Sequence, residues 1–279
     1  MIIALFANTS KKYSKSLALG IYEFLTNQNI TVVVQDEEAV SLGLRKLSDV
    51  PEDQVDFIIS LGGDGTILQL MHQHPGLTAP VLGINIGHLG FMADVPISDL
   101  YPSLQDLISG AYKIDKRLMI QGETLQKETC FAINEIVVHR GKNPSLVEIA
   151  IHVDGAYLNT FEADGVILST PNGSTAYSLA AGGPILSPDL EALVLTPISP
   201  HTISNRPIVL TANQEIQIQY LSDYEPVEIR ADGLESFSLR TGEVFKISRS
   251  PKYFRLVSLF RRDYFSTLRT KLGWSGKLR

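Results

Sequence analysis

The sequence predicts an α/β domain followed by a β-rich domain, on three observations. Strand-like and helix-like segments alternate up to about residue 115, which is typical of a parallel sheet with helices on its faces. Beyond that point most segments alternate apolar and polar residues with a period of two, as half-buried antiparallel strands do. The chain of 279 residues is also long for one ordinary domain. We therefore expect an α/β domain over 1–115, a β-rich domain over 116–250, and a basic C-terminal segment over 251–279 that packs back on the body.

In the first domain, short β-branched and apolar runs predict strands, and apolar residues at helical spacing predict amphipathic helices. Gly110 follows the second predicted helix and is expected to cap it. The strands expected are 2–7, 30–34, 55–60 and 81–86, the helices are 14–27 and 98–109, and a turn is expected at 8–10.

In the second domain, Asp154-Gly155 and Asp232-Gly233 each follow a predicted strand and indicate tight turns. One segment departs from the β pattern: after a strand that ends at Pro171, Gly173-Ser174 begins a short helix closed by Gly182-Gly183. The strands expected are 131–139, 146–153, 166–169, 207–211, 215–220, 226–231 and 244–248.

Composition excludes several classes of protein. Hydrophobic residues make up 44% and charged residues 19% of the chain, as in a folded globular protein. No apolar run approaches the ~20 residues of a membrane-spanning helix, so no membrane partner is expected. The apolar start Met1–Ala7 has no basic region before it, which argues against a secretory signal. The single Cys130 cannot form an internal disulfide. These features predict a cytoplasmic protein.

Charge is unevenly distributed along the chain. Residues 240–279 contain eleven Lys or Arg against Glu243 and Asp263, whereas the whole chain has a net charge of −6. A basic end can contact nucleic acid or a polyphosphate. Packing of the basic end against an acidic body is the better interpretation, because this segment is also rich in aromatic residues. No nucleic-acid partner is expected.

The stretch Ser60–Thr66 carries the strongest local indication of function. It joins a buried strand to a helix start through three glycines and Asp64. Glycines let the backbone approach a ligand or adopt positive φ, and a helix N-terminus offers free N–H groups to phosphate. Asp64 either accepts a proton from a hydroxyl nucleophile, helps to hold a metal, or merely caps the helix. A second glycine loop, Gly87–Phe91, follows the next strand, and ligands of parallel sheets bind beyond the carboxyl ends of the strands.

Taken together and in order, these motifs resemble those of the NAD kinase family over nearly the whole chain. The glycine–aspartate loop alone is weak, since lipid kinases and phosphofructokinases share it, but the block around Tyr177 makes the resemblance specific. The matching pieces are Gly62–Thr66, Gly83–Asn85 with Gly87–Phe91, Asn134-Glu135, Asp164–Pro188, Pro200–Thr202 with Arg206-Pro207, and Lys271–Trp274.

The resemblance implies transfer of a phosphoryl group from ATP, or polyphosphate, to the 2′-hydroxyl of the adenosine ribose of NAD, with Mg²⁺. It also implies a homodimer or homotetramer. Since a cleft between two domains is a natural ligand site, we expect the active site between the α/β and β-rich domains. Asp64 would be the proton acceptor, and the donor phosphates would lie against Gly62, Gly63, Gly65 and Thr66. The residues implied for NAD binding are Asp64, Gly65, Asn85, Phe91, Asn134, Glu135, Asp164, Thr175, Ala176, Tyr177, Ser178 and Ala180.

The chain departs from the family pattern at three positions. Gln69 and His72 stand where many relatives carry basic residues, which leaves the choice between ATP and polyphosphate open. Leu234 stands where many relatives carry Gln after Asp-Gly.

Two alternative functions stay open at this point. One is a lipid kinase of the diacylglycerol type, and the other is a non-catalytic dinucleotide-binding regulator. An oxidoreductase with a Rossmann fold is poorly supported, because Gly83–Gly90 lacks the Gly-x-Gly-x-x-Gly spacing.

Overall fold

The computed structural model describes residues 1–7, 13–202, 204–274 and 276. The chain divides into two compact units, one of Met1–Asp115 with Arg255–Arg279 and the other of Lys116–Phe254. The turn expected at 8–10 lies outside the described residues.

The N-terminal part of the first unit alternates strands and helices, as its periodicity predicts. Buried residues of α1 recur at helical spacing (Ala18, Ile21 and Leu25), and α4 ends at Gly110, whose φ of 80° lies in the left-handed region that favours glycine. The elements are β1 (Ile2–Ala7), α1 (Ser14–Thr26), β2 (Thr31–Val34), α2 (Asp36–Leu42), β3 (Phe57–Gly62), α3 (Asp64–Gln73), β4 (Val81–Asn85), β5 (Val95–Pro96) and α4 (Leu100–Ser109).

The rest of the chain is mainly strand and ends in a helix. The elements are β6 (Tyr112–Thr124), β7 (Thr129–Ala132), β8 (Glu135–His139), β9 (Val147–Val153), β10 (Ala156–Ala163), β11 (Gly165–Ser169), α5 (Tyr177–Ala180), β12 (Ala192–Ile198), β13 (Ile208–Thr211), β14 (Ile216–Tyr220), β15 (Val227–Ala231), β16 (Glu235–Leu239), β17 (Val244–Leu259) and α6 (Tyr264–Leu272).

The sheet of the first unit is parallel, with its strands in the order β4-β3-β1-β2. β5 and the end of β17 also pair with β4 in parallel. Because the strands point the same way, β3 and β4 end side by side: Gly62 is in register with Asn85, and the N–H of Ile86 donates to the carbonyl of Gly62 at 3.0 Å. The two glycine loops therefore leave the sheet at the same edge.

The second unit is built from antiparallel strands. Six of them form a sheet in the order β13-β12-β11-β8-β15-β16, and a second group runs β10-β9-β14-β17, with β6 pairing both β17 and β7. Residues from both groups, among them Ile136, Val166, Ile149 and Phe245, belong to one buried apolar cluster. The predicted fold class, a parallel α/β part followed by a β-rich part, is confirmed.

Several predicted elements need correction. The strand expected at 131–139 is interrupted: β7 ends at Ala132 and β8 begins at Glu135, because the N–H groups of residues 133–135 bond to a side chain instead of a strand. The strand expected at 244–248 continues to Leu259. β6 escapes prediction because the charged residues of 113–117 hide its alternation. The helices α2 and α6 are further elements that the sequence reading missed.

Candidate active site

The first glycine loop joins β3 to α3 in an extended conformation. Gly63, the residue before the helix, has a φ of −136°, and its N–H donates to the hydroxyl of Thr66 at 3.3 Å. The loop glycines do not adopt positive φ, so that part of the prediction is wrong. A Cβ at Gly62 would lie 2.1 Å from Thr66 Oγ1, whereas a Cβ at Gly63 or Gly65 would meet nothing within 4 Å. Packing of the described residues thus requires glycine at 62, and open space remains beside 63 and 65.

The Asp64 side chain ties the two glycine loops together. Its Oδ2 accepts the backbone N–H of Phe91 at 2.8 Å, and its Oδ1 accepts those of Met92 at 3.0 Å and Ala93 at 2.8 Å. A Cβ at Gly90 would lie 2.0 Å from Oδ1, so glycine is needed where the loop passes the carboxylate. Asp64 is the first residue of α3 and its carboxylate bonds to the other loop, so the interpretation as a helix cap is wrong.

Asn85 shapes the second loop, which we define as residues 87–93. Its side chain is buried, with 5% of the residue exposed. Oδ1 accepts the N–H of Gly87 at 2.6 Å, and Nδ2 donates to the carbonyls of His88 and Ala93. The amide is therefore occupied in holding loop 87–93 beside Asp64.

In the second unit, Asp232 organises the break between β7 and β8. Its carboxylate accepts three backbone N–H groups, from Ile133 at 2.8 Å, Asn134 at 2.8 Å and Glu135 at 3.1 Å. The sequence reading treated Asp232-Gly233 only as a turn and missed this role. The turn itself is present, with φ of 50° at Asp232 and 72° at Gly233. The carboxylate of Asp232 on a tight turn was the sequence feature that could have indicated such a role. The N–H groups that it accepts lie about a hundred residues earlier in the chain and could not be predicted.

Glu135 is buried with an unusual carboxyl group. Only 8% of the residue is exposed, and burial raises its pKa to about 8, with the nearby Asp232 charge as the second cause. Both effects disfavour the carboxylate, so the group is mostly protonated at neutral pH and offers an O–H donor.

Asn134 is brought together with the segment that follows β11. Its Oδ1 accepts Nδ2 of Asn172 at 2.7 Å, and its carbonyl accepts the N–H of Thr170 at 2.8 Å. A Cβ at Gly173 would lie 2.2 Å from that same carbonyl oxygen, which explains why glycine stands there. The predicted pieces Asn134-Glu135 and Asp164–Pro188 are thus in direct contact.

The remaining predicted residues of this unit differ in whether their polar groups already have hydrogen-bond or ion-pair partners. Asp164 forms an ion pair with Arg140, whose Nε lies 2.6 Å from Oδ1. The Ser178 hydroxyl is buried and lies 2.9 Å from Thr196 Oγ1. Thr175 donates its hydroxyl to a backbone carbonyl at 3.3 Å, and Tyr177 is 41% exposed. Ala176 directly precedes α5, and Ala180 is the last residue of that helix.

A cavity of about 670 Å³ lies in the first unit, with Thr66 and Gln69 of α3 on its wall. Its lining contains no Lys or Arg among the described residues. Its polar side chains are mostly carboxylates and amides, from Asp36, Glu37, Glu38, Glu52, Gln35, Gln69 and Gln73.

The described residues show no ready-made metal cage and no membrane span. No three of their His, Cys, Asp or Glu side chains are gathered in a way that would hold a metal ion. None of the described helices has the length and apolar character needed to cross a bilayer.

The α/β unit carries a glycine–aspartate loop at the carboxyl edge of its parallel sheet, and the chain has a separate β-rich unit. This is the plan of a kinase that phosphorylates a small molecule or a lipid. Models of the ATP-NAD kinase N-terminal and C-terminal domains match residues 3–112 and 133–259. NAD kinase of Protochlamydia amoebophila is 58% identical over 278 residues, with 100% of both chains covered. The chain belongs to the NAD kinase family.

More distant relatives agree with this assignment. NAD kinase of Moorella thermoacetica is 38% identical, over 98% of this chain and 90% of that protein. The structure of yeast NADH kinase complexed with NADH matches with a TM-score of 0.84 at 28% identity, covering 100% of this chain and 89% of that one. An NAD kinase from Archaeoglobus fulgidus in complex with ATP matches with a TM-score of 0.78 at 27% identity, covering 99% and 100%.

Proposed function

We propose that this protein is an NAD kinase that transfers the γ-phosphoryl group of ATP to the 2′-hydroxyl of the adenosine ribose of NAD, giving NADP and ADP. Full-length identity of 58% to a curated NAD kinase supports the activity. The observation that carries the chemistry is the Asp64 carboxylate, fixed by three backbone N–H groups beside the open space at Gly63 and Gly65.

Asp64 is the proposed proton acceptor, and Oδ2 is the atom with capacity for the proton. Each carboxylate oxygen has about two acceptor sites; Oδ1 already accepts two backbone N–H groups and Oδ2 only one. As the 2′-oxygen attacks the γ-phosphorus, its proton passes to Oδ2, the bond from that phosphorus to the β–γ bridging oxygen breaks, and ADP leaves. Phosphoryl transfer asks chiefly for positioning and charge stabilisation from the protein. The backbone of Gly62–Thr66 is proposed to hold the donor phosphates.

The NAD-binding residues proposed in the second unit are those that the resemblance implies. Glu135, protonated near neutral pH, would donate to an acceptor oxygen of the dinucleotide. The exposed ring of Tyr177 offers a face for stacking. Asn134, Asp164, Thr175, Ala176 and Ala180 complete the set, and Ser178 contributes through its backbone, because its hydroxyl already bonds to Thr196.

ATP is the proposed donor in preference to polyphosphate. Among its described lining residues, the cavity beside Thr66 has four carboxylates and no Lys or Arg. A polyphosphate chain carries more negative charge than ATP and would be repelled more strongly there. Gln69, one of the departures from the family pattern that the resemblance indicated, lies on the wall of this cavity.

Three further proposals accompany the activity. Mg²⁺, held mainly by the donor phosphates, would neutralise their charge when bound. The cytoplasm is the proposed location, and the buried thiol of Cys130 is consistent with a reducing compartment. A homodimer or homotetramer is the proposed assembly.

The direct test is to incubate the purified protein with NAD, Mg²⁺ and either ATP or polyphosphate, and to measure NADP. We expect NADP with ATP, and at least about tenfold less with polyphosphate at equal phosphate concentration. The same assay with diacylglycerol in place of NAD should give no phosphorylated lipid. Folded protein that makes no NADP with either donor would refute the proposed activity and favour a non-catalytic regulator; phosphorylated lipid would favour the lipid kinase.

A further inference from the structure

The last turn of α6 contacts loop 87–93 through Lys271. The Lys271 ammonium donates to the carbonyl of Leu89 at 2.8 Å and lies 4.9 Å from the centre of the Phe91 ring. The Tyr264 ring, from the first turn of α6, is 6.0 Å from the same ring. Lys271 thus contacts both neighbours of Gly90, Leu89 and Phe91. Gly90 is the position where the loop passes the Asp64 carboxylate.

The contacts of Lys271 continue through the backbone to Asp64. The carbonyl that Lys271 holds belongs to the same peptide group as the N–H of Gly90, which donates to the carbonyl of Ala93 at 3.0 Å. The N–H groups of Ala93 and Phe91 are two of the three donors to the Asp64 carboxylate. A charged donor on the Leu89 carbonyl polarises that peptide group and strengthens the bond from Gly90 to Ala93, which closes the loop. The closed loop in turn holds the N–H groups of Phe91 and Ala93 toward Asp64.

The position of α6 is fixed by contacts other than those of Lys271. Asp263 caps the helix by accepting the N–H groups of Phe265 and Ser266, each at 3.1 Å, and Leu268 is buried. Just before the helix, Arg261 and Arg262 form ion pairs with Asp106 and Asp99 of the same unit. Lys271 itself is exposed apart from its contacts with the loop. Its removal should therefore leave the helix in place.

We propose that Lys271 is a positioning residue, which holds loop 87–93 closed around Asp64 and so fixes the carboxylate for phosphoryl transfer. The proposal rests on the proposed role of Asp64 as proton acceptor. This positioning role accounts for the C-terminal Lys271–Trp274 motif, which takes no part in the proposed phosphoryl transfer step itself. Because Lys271 acts through Asp64, its loss should lower kcat while KM for NAD stays nearly unchanged.

The test compares Lys271→Met with Arg269→Met, a matched control that removes a positive charge from the same helix turn. Arg269 pairs with Asp263 and has no contact with loop 87–93 among the described hydrogen bonds and ion pairs. An exposed cation–π contact and one charge-assisted hydrogen bond suggest a fall in kcat of about fivefold for Lys271→Met. We expect KM within about twofold, wild-type kcat for Arg269→Met, and rescue by Lys271→Arg, which keeps a donor and a cation over the ring.

A double-mutant cycle separates this proposal from the activity itself. In an Asp64→Asn background, Lys271→Met should change the residual rate by less than about twofold, because the group that it positions is gone. An equal fall in both backgrounds, or wild-type kcat in the single variant, would overturn the positioning role and leave the NAD kinase assignment intact. Thermal unfolding of each variant checks that α6 and the loop are still folded. If wild-type protein made no NADP, the activity would fail instead.

Discussion

The protonated Glu135 makes a pH-dependent contribution to stability that can be predicted in sign and size. Its pKa is raised from 4.5 to about 8 in the folded protein, first by burial and then by the Asp232 charge. A raised pKa means that the contribution is fully present below 4.5 and is lost as pH rises through the folded value. At about 1.4 kcal/mol per unit, the shift corresponds to about 5 kcal/mol between the two limits.

Replacing Glu135 by Gln removes the ionisable group while keeping its shape. We therefore expect Glu135→Gln and wild type to be of similar stability at pH 5, and the variant to be more stable at pH 9 by several kcal/mol. The assay is thermal unfolding from pH 5 to 9, with Glu148→Gln at an exposed position of β9 as the control. ¹³C NMR of the Glu135 carboxyl carbon gives the midpoint directly. A midpoint near 4.5, or parallel stability curves for wild type and variant, would refute the reasoning.

Two further predictions use the same geometry. Gly90→Ala would place a Cβ 2.0 Å from Asp64 Oδ1, so kcat should fall at least about tenfold. Gly65→Ala has open space at its Cβ. Because Ala favours a helix over Gly by about 1 kcal/mol, this variant should unfold at no lower temperature than wild type. If Gly65→Ala leaves KM for ATP unchanged, no ligand approaches that backbone. Burial raises the pKa of the Cys130 thiol to about 12, so Ellman's reagent at pH 8 should label the protein only after denaturation; fast labelling of native protein would contradict this burial.

Local patterns predicted the main strands of the first unit and its helices α1 and α4, because these elements follow from short-range physics, whereas α2 and α6 were missed. Apolar spacing gave α1 and α4, and Gly110 gave the end of α4, within a few residues of the observed bounds. The position of the glycine loop followed from one inference, that strands alternating with helices pair in parallel. β6 was missed because its charged residues break the alternation of apolar and polar residues. Packing of the surrounding chain stabilises the strand in spite of this local pattern.

The roles of individual site residues were harder to predict, because they depend on contacts distant in sequence. Asp64 was singled out, but its three N–H donors lie 27 to 29 residues further on. Asp232 has the same arrangement with residues 97 to 99 positions earlier, and it passed as a simple turn. Glu135 was named from a resemblance, whereas its raised pKa comes from burial, which no local pattern shows.

The measurement that tests the central claim most directly is the rate of NADP formation by Asp64→Asn, with NAD affinity measured on the same sample. The substituted amide cannot take the ribose proton, so kcat should fall by at least about a hundredfold. NAD affinity should stay within about threefold of wild type, because the fixed loop is largely retained through Oδ1. A kcat near that of wild type, from folded protein that binds NAD, would show that Asp64 is not the proton acceptor.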